Sequence, residues 1–336
     1  MAMRPRPSWR VVPPLACAAL FGSCGEQSAL DPRAEPAREI ATLWWWMLAA
    51  AGIVAGGALF LLWVGWLRRR RPGLPLLGSN ERVSNALVIV FGFGIPLAVN
   101  VVVFVVANFV VAKATDAPDP RSTPMTIEVV GHQWFWEVRY PGTPAVTANE
   151  IHIPVGTRVN VVARTGDVIH SFWVPQLNRK IDMVPGHANR VLLEADAPGR
   201  FRGQCAEFCG AQHAHMAMYV FADPPDRFRA WLRGQAAARR SPSTPEQRRG
   251  ERVFLDEACA SCHTIRGTAA RGRIGPDLTH LQSRSTIAAL TLPNRPPEVE
   301  RWIRDPQHVK PGNRMPALGL PDRDFDALLA YLESLE

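Results

Sequence analysis

Long runs without a charge mark the first third of the chain. Residues 43–67 and 83–112 contain no charged side chain, and at 1.5 Å per residue each exceeds the roughly 30 Å hydrocarbon core of a bilayer. Two membrane-spanning helices are predicted there. Trp44, Trp45 and Trp46 at one end of the first run, and Trp63 and Trp66 at the other, fit interfacial aromatic belts. Asn85, Asn100 and Asn108 in the second run are polar but uncharged, and Pro96 is expected to bend it. Between the runs stand Arg68, Arg69, Arg70 and Arg71, with Arg82 close behind. Positive charge in a short connecting loop places that loop in the cytoplasm and both long ends of the chain outside.

The pattern changes on either side of this hairpin. Residues 1–24 place Arg4, Arg6 and Arg10 before an apolar run at 11–21, then Gly22, Ser23 and Cys24. This reads as a secretory leader, either ordinary or of the lipoprotein kind with Cys24 lipidated. Beyond the hairpin, short apolar or alternating runs at 126–130, 150–153, 158–162, 191–194 and 218–221 are separated by Pro and Gly. Such spacing predicts strands of a sandwich or barrel. Residues 223–247 are rich in Pro, Ala, Arg and Ser and read as a linker, opening with a short helix around Phe228 and Trp231. Helical patterns return at 245–258 and 322–335. The expected divisions are a leader (1–24), a hairpin (25–121), a β unit (122–222), the linker (223–247) and a helical unit (248–336).

A formal charge of +8 on 336 residues raises the question of a nucleic-acid partner. The excess, five charges in residues 1–121 and three in 223–243, lies in the membrane region and the linker. Residues 122–222 and 244–336 are each balanced, so neither folded unit offers the basic face that nucleic acid needs. Six cysteines occur, at 17, 24, 205, 209, 259 and 262, and the last four form two close pairs, each inside a metal or haem motif.

The first pair lies in a twelve-residue stretch holding Cys205, Glu207, Cys209, His213, His215 and Met216. Thiols, imidazole and thioether together are a soft ligand set that selects copper over magnesium, calcium or manganese. A mononuclear blue-copper loop needs one Cys; two thiols four residues apart suit a bridged pair of copper ions. His170 is placed to supply the further imidazole. A structural zinc site shares the Cys2His2 set, but zinc spacings run Cys-x2-4-Cys with His-x3-5-His and have no use for Met216. The second pair, Cys259-Ala260-Ser261-Cys262-His263, carries the Cys-x-x-Cys-His signature of covalent c-type haem.

His170 followed by Cys-x-Glu-x-Cys-x3-His-x2-Met resembles the CuA centre of subunit II of cytochrome c oxidase. Residues 131–136, with His132 and Trp134, and residues 171–177 match the same family. The C-terminal unit resembles a class I cytochrome c, with Gly275, Pro276, Asp277 and Leu278 similar to the loop that orients the proximal His, and Met315 before Pro316 similar to the distal-ligand loop. The fold implied is a two-helix hairpin, an all-β cupredoxin sandwich and an all-α cytochrome c.

The resemblance further implies that His170, Cys205, Cys209, His213 and Met216 are side-chain ligands of a dinuclear copper centre. Glu207 would lend its backbone carbonyl, its carboxylate facing magnesium at the border with subunit I. Trp134 matches the electron-entry aromatic, whereas Trp136 and Trp173 read as packed sandwich residues and His215 as no ligand. Asp182, Pro185 and Gly186 fit a family turn, with His187 where an Arg is usual. Cys259, Cys262, His263 and Met315 would hold haem c, with His280 and His308 as weaker rivals to Met315.

The implied function is subunit II of a bacterial proton-pumping haem–copper oxidase. It would pass electrons from its own haem c to CuA and on to subunit I, where oxygen is reduced. The implied partners are subunit I and further oxidase subunits, with cytochrome c or a quinol–cytochrome c reductase as donor, at the inner membrane. Two alternatives stay open: the entry subunit of another terminal reductase, such as a nitric oxide reductase, and a membrane-anchored copper-binding or sensing protein.

Overall fold

The computed structural model describes residues 25–69, 81–117, 119, 121 and 123–336. The leader with Cys17 and Cys24, and most of the arginine-bearing loop, lie outside the described residues. Helix α1 (Glu35–Arg69) and helix α2 (Glu81–Thr115) are each 35 residues long and apolar enough to cross a membrane. Their apolar side chains face outward, as they would toward lipid. Two turns of α2 widen, one at Val90–Gly94, just before Pro96, whose missing N–H interrupts the regular ladder, and one at Ala107–Val111. Asn100 and Asn108 donate their side-chain amides to the carbonyls of Pro96 and Phe104, both at 2.8 Å, so neither brings an unpaired polar group into the span.

Ten strands form the β unit: β1 (Met125–His132), β2 (Phe135–Arg139), β3 (Val146–Ala148), β4 (Glu150–Pro154), β5 (Val159–Thr165), β6 (His170–Trp173), β7 (Ile181–Met183), β8 (Asn189–Leu193), β9 (Gly199–Cys205) and β10 (Ala217–Asp223). One sheet has the order β3-β2-β1-β5-β8 and the other β4-β10-β9-β6-β7. The sheets close on a shared core in which Ile127, Val129, Trp136 and Val161 meet Ile151, Phe172 and Val220, all buried. Five of these strands coincide with the expected runs. The others are short, three or four residues in β3, β6 and β7, or carry Arg139, Arg200 and Arg202 on their outer positions, which conceals their alternation.

The hairpin is tied to this sandwich at both ends. Arg33 donates its N–H to the Gln176 carbonyl at 2.8 Å and accepts from Asp196 N–H at 3.0 Å. Ala34, Ala37 and Ala41 bury the first turns of α1, while Asn178 donates to the Thr115 carbonyl at the end of α2. Both helices therefore meet the sandwich on one side of any bilayer they cross.

The expected linker is half helix. Helix α3 (Pro225–Ala236) lies on the sandwich, with Phe228 buried and the Trp231 ring stacked 3.9 Å from that of His152. The C-terminal unit crosses helix α4 (Pro245–Asp256) with the last helix. Thr244 and Gln247 cap α4 reciprocally. Gly250 permits that crossing, since a Cβ there would overlap the Ala327 carbonyl. Between these lie the one-turn helix α5 (Cys259–Cys262), helix α6 (Pro296–Arg304), the one-turn helix α7 (Pro306–Val309), and finally α8 (Asp322–Leu332). Phe254, Phe325, Leu328 and Tyr331 form its core.

Candidate functional site

Strand order brings the first set of candidate ligands together. β6 pairs with β9, Phe172 opposite Cys205, so His170 at the start of β6 lies beside the last residue of β9. β9 pairs with β10, and the loop between them closes where Cys205 N–H donates to the Met216 carbonyl at 2.9 Å. The Cys205 and Cys209 sulfurs are 3.8 Å apart, far beyond the roughly 2.05 Å of a disulfide. His170 Nδ1 lies 3.8 Å from Cys205 Sγ, and His213 Nδ1 lies 3.7 Å from Cys209 Sγ. Met216 Sδ is 3.8 Å from Cys209 Sγ, and the Glu207 carbonyl is 3.1 Å from Cys205 Sγ. Cys205, Cys209, His170 and Met216 are buried. His215 stands apart, its Nδ1 hydrogen-bonded to Gln212 Oε1 at 2.8 Å, and His187 is exposed in its turn.

Asp167 sets the direction of the His170 ring, a role the sequence reading did not assign. Its Oδ1 accepts from His170 Nε2 at 2.8 Å, which leaves Nδ1 facing the sulfurs. Gly131 leaves room for that ring, because a Cβ there would come within 2.8 Å of His170 Cδ2. Burial would raise Asp167, but His170 and the N–H groups of Gln133 and Val168 hold it at about 2. Burial also opposes charge on His170, yet hydrogen bonds to Asp167 and Cys205 outweigh it and raise its pKa. The contact with Cys209 draws Cys205 well below the ordinary thiol range. The same contact, with burial, pushes Cys209 up.

Trp134 covers this loop from outside. Its Nε1 donates to the Cys209 carbonyl at 3.0 Å, and Gln133 Nε2 donates to the same oxygen at 2.8 Å. Gly210 has a φ of 111°, and a Cβ there would press on Trp134 Cζ2 at 3.0 Å. Trp136 is buried in the sandwich, as its reading as a packing residue expected, and Trp173 is half-buried.

The second set lines an apolar cavity that the C-terminal unit forms against Gln133, Trp134 and Phe135 of the sandwich. Cys259, Cys262, His263 and Met315 all face it, along with Phe254, Trp302 and Leu328. His263 Nδ1 donates to the Pro276 carbonyl at 2.8 Å, so Nε2 is the nitrogen left for a ligand role. Burial lowers the His263 pKa, which favours the neutral ring a metal requires. His280 is engaged elsewhere, by the carbonyls of Glu336 and Ala237, and neither it nor His308 lines the cavity.

The residues present fit both groups. Two thiols, a thioether and two imidazoles whose Nδ1 atoms face the sulfurs make a copper-type donor set. Arg284 and Thr286 line the cavity, and their Nε and Oγ1 are buried with no hydrogen-bond partner among the described residues. Two orphaned donors on residues lining an apolar cavity suit the carboxylates of a haem. Arg284 and Thr286 were not foreseen, since a single Arg or Thr carries no motif.

Soft-ligand sandwich and haem-type cavity together define a membrane-anchored electron carrier. Residues 143–222 match the family model for the periplasmic domain of cytochrome c oxidase subunit II, and residues 247–336 match that for cytochrome c. Cytochrome c oxidase subunit 2 of Alkalihalophilus pseudofirmus is 38% identical over 272 residues, which are 80% of this chain and 78% of the relative. The subunit 2 proteins of Bacillus sp. strain PS3 and Bacillus subtilis are 32% and 30% identical. Each alignment covers 67% of this chain, and 66% and 64% of the respective relative, just under two-thirds. The chain belongs to the cytochrome c oxidase subunit II family and carries a cytochrome c domain at its C-terminus. Copper and haem binding follow from that membership.

Proposed function

We propose that this chain is the electron-entry subunit of a bacterial haem–copper oxidase, linking an outside donor to a catalytic subunit I. A dinuclear copper centre and a covalent haem c, when bound, supply one-electron transfer. His170, Cys205, Cys209, His213 and Met216, with the Glu207 carbonyl, would hold the copper pair. Cys259 and Cys262 would form thioethers to the haem, with His263 and Met315 as its axial ligands. The Glu207 carboxylate is free to face a magnesium ion at the border with subunit I, since among the described residues only the Phe208 N–H engages it, at 3.0 Å. The cytoplasmic loop and the outward position of both units follow from the hairpin reading.

One observation carries this proposal: two thiols 3.8 Å apart, each with its own imidazole Nδ1 within 3.8 Å. A rigid frame of strands fixes those donors, so a change in charge need not move them. The depressed Cys205 keeps a thiolate available for a cation before it arrives, and Asp167 holds the His170 ring with Nδ1 toward the sulfurs. Metal analysis of the full purified chain, produced with copper and haem maturation, tests the reading. About two coppers and one iron per chain are expected from the donor sets. Zinc without copper would make the loop structural. Isolation of the chain without a haem-bearing, many-span partner would remove the oxidase assignment.

A further inference from the structure

The loop that carries Met315 is fastened to the residues that cover the copper-type loop. Lys310 is only 2% exposed, and its Nζ donates to the Trp134 carbonyl at 3.1 Å and to the Ala288 carbonyl at 3.0 Å. One ammonium thus touches both folded units at once. Beside it Arg314 donates to Gln133 Oε1 at 3.0 Å, and Gln212 donates to the Pro311 carbonyl at 2.7 Å. Trp134 and Gln133 both reach on to the Cys209 carbonyl. Trp134 also lines the same cavity as His263 and Met315. A more distant contact holds the other flank, where Glu150 Oε1 accepts from Ser285 N–H at 2.7 Å.

A buried ammonium whose hydrogen-bond acceptors among the described residues are two backbone carbonyls is an unfavourable way to fill space; an apolar side chain would pack there at lower cost. Burial indeed pushes Lys310 down to about 7. What the amine adds over a methyl group is direction: its two acceptors fix the register of one unit on the other. Helix α3, docked through Phe228 and Trp231, brings the chain to this contact and adds a tie of its own, Gln235 Nε2 donating to Ser283 Oγ at 2.7 Å.

We propose that Lys310 is a positioning residue that pins the C-terminal unit over Trp134, so that the docked pose is the one in which electrons cross between the two units. The proposal rests on the copper and haem reading given above.

The test uses Lys310→Met and Lys310→Gln in the assembled oxidase. Flash-initiated electron transfer between haem c and CuA is followed at several solvent viscosities. Hydrogen exchange of residues 131–136 is measured separately in the metal-free chain. The wild-type rate is expected to be independent of viscosity. Lys310→Met should be slower by about tenfold or more, because a small misplacement of a bound partner is costly, and its rate should fall with viscosity. Protection of residues 131–136 should fall with it, while Lys310→Gln, which keeps an N–H donor, stays near wild type. Unchanged rate and protection in Lys310→Met would overturn the proposal. If Lys310→Met fails to retain haem, the wild-type series decides, since a viscosity-limited rate there means that the units must search for each other. Lack of a copper or haem signal in the wild type sinks the cofactor reading instead, and hydrogen exchange still judges Lys310.

Discussion

The His170 ring is held between Asp167 Oδ1, 2.8 Å from Nε2, and Cys205 Sγ, 3.8 Å from Nδ1. Its aim depends on the carboxylate as much as on its own strand. Asp167→Asn keeps the shape but removes the charge that orients and strengthens the imidazole donor. Copper affinity should drop about 10- to 100-fold, as for other outer partners of metal ligands. Competition against a chelator of known affinity measures this, and an unchanged affinity would deny Asp167 its role. The candidate ligand side chains could be picked out in the sequence because four of the five fall within twelve residues. Asp167 was not, although it lies only three residues before His170, because an acid near a histidine has no signature of its own. Arg284 and Thr286 were still less visible, their meaning arising only from the cavity they share.

Among the elements, β9 decides whether the site exists. It carries Cys205 and lies between β10 and β6, the strand that carries His170. Gly203 lets β9 approach β6, since a Cβ there would sit 2.6 Å from the Trp173 carbonyl. Gly203→Ala should therefore push the two strands apart and cost about 1–3 kcal/mol, as overpacking does. A lower urea midpoint together with weakened copper binding is the expected result; full copper binding would show that the sheet absorbs the methyl group. The sequence reading passed over β9 because Arg200, Arg202 and Gln204 alternate with Phe201, Gly203 and Cys205. Only three side chains of that strand turn toward the core, and one of those positions is a glycine. Likewise the α3 helix was foreseen only as a short opening to a linker. Its low apolar content hides that Phe228 and Trp231 find an aromatic bed of Tyr140 and His152 on the sandwich.

For the molecule as a whole, covalent fusion replaces collision with a high effective concentration. The contact between the two units is made largely by short, part-buried hydrogen bonds through Lys310, Gln212 and Glu150, which salt screens weakly. Electron transfer between haem and copper should thus change by less than about twofold between low and high salt, where steered encounters fall steeply. Flash photolysis across an ionic-strength series checks this. A steep decline would mean that the units part and meet again in solution.

The sequence by itself determined the order of parts and the chemistry available to each. Runs of uncharged residues, Cys-x3-Cys with His and Met downstream, and Cys-x-x-Cys-His are local patterns, so they survive without knowledge of the fold. Only the tertiary structure decided where His170 stands, which carboxylate aims it, and how the C-terminal unit rests on Trp134. Those depend on pairs such as His170 with Cys205, 35 residues apart, and Lys310 with Trp134, 176 apart. The linker composition permits many poses, and a few buried donors meeting backbone carbonyls select one.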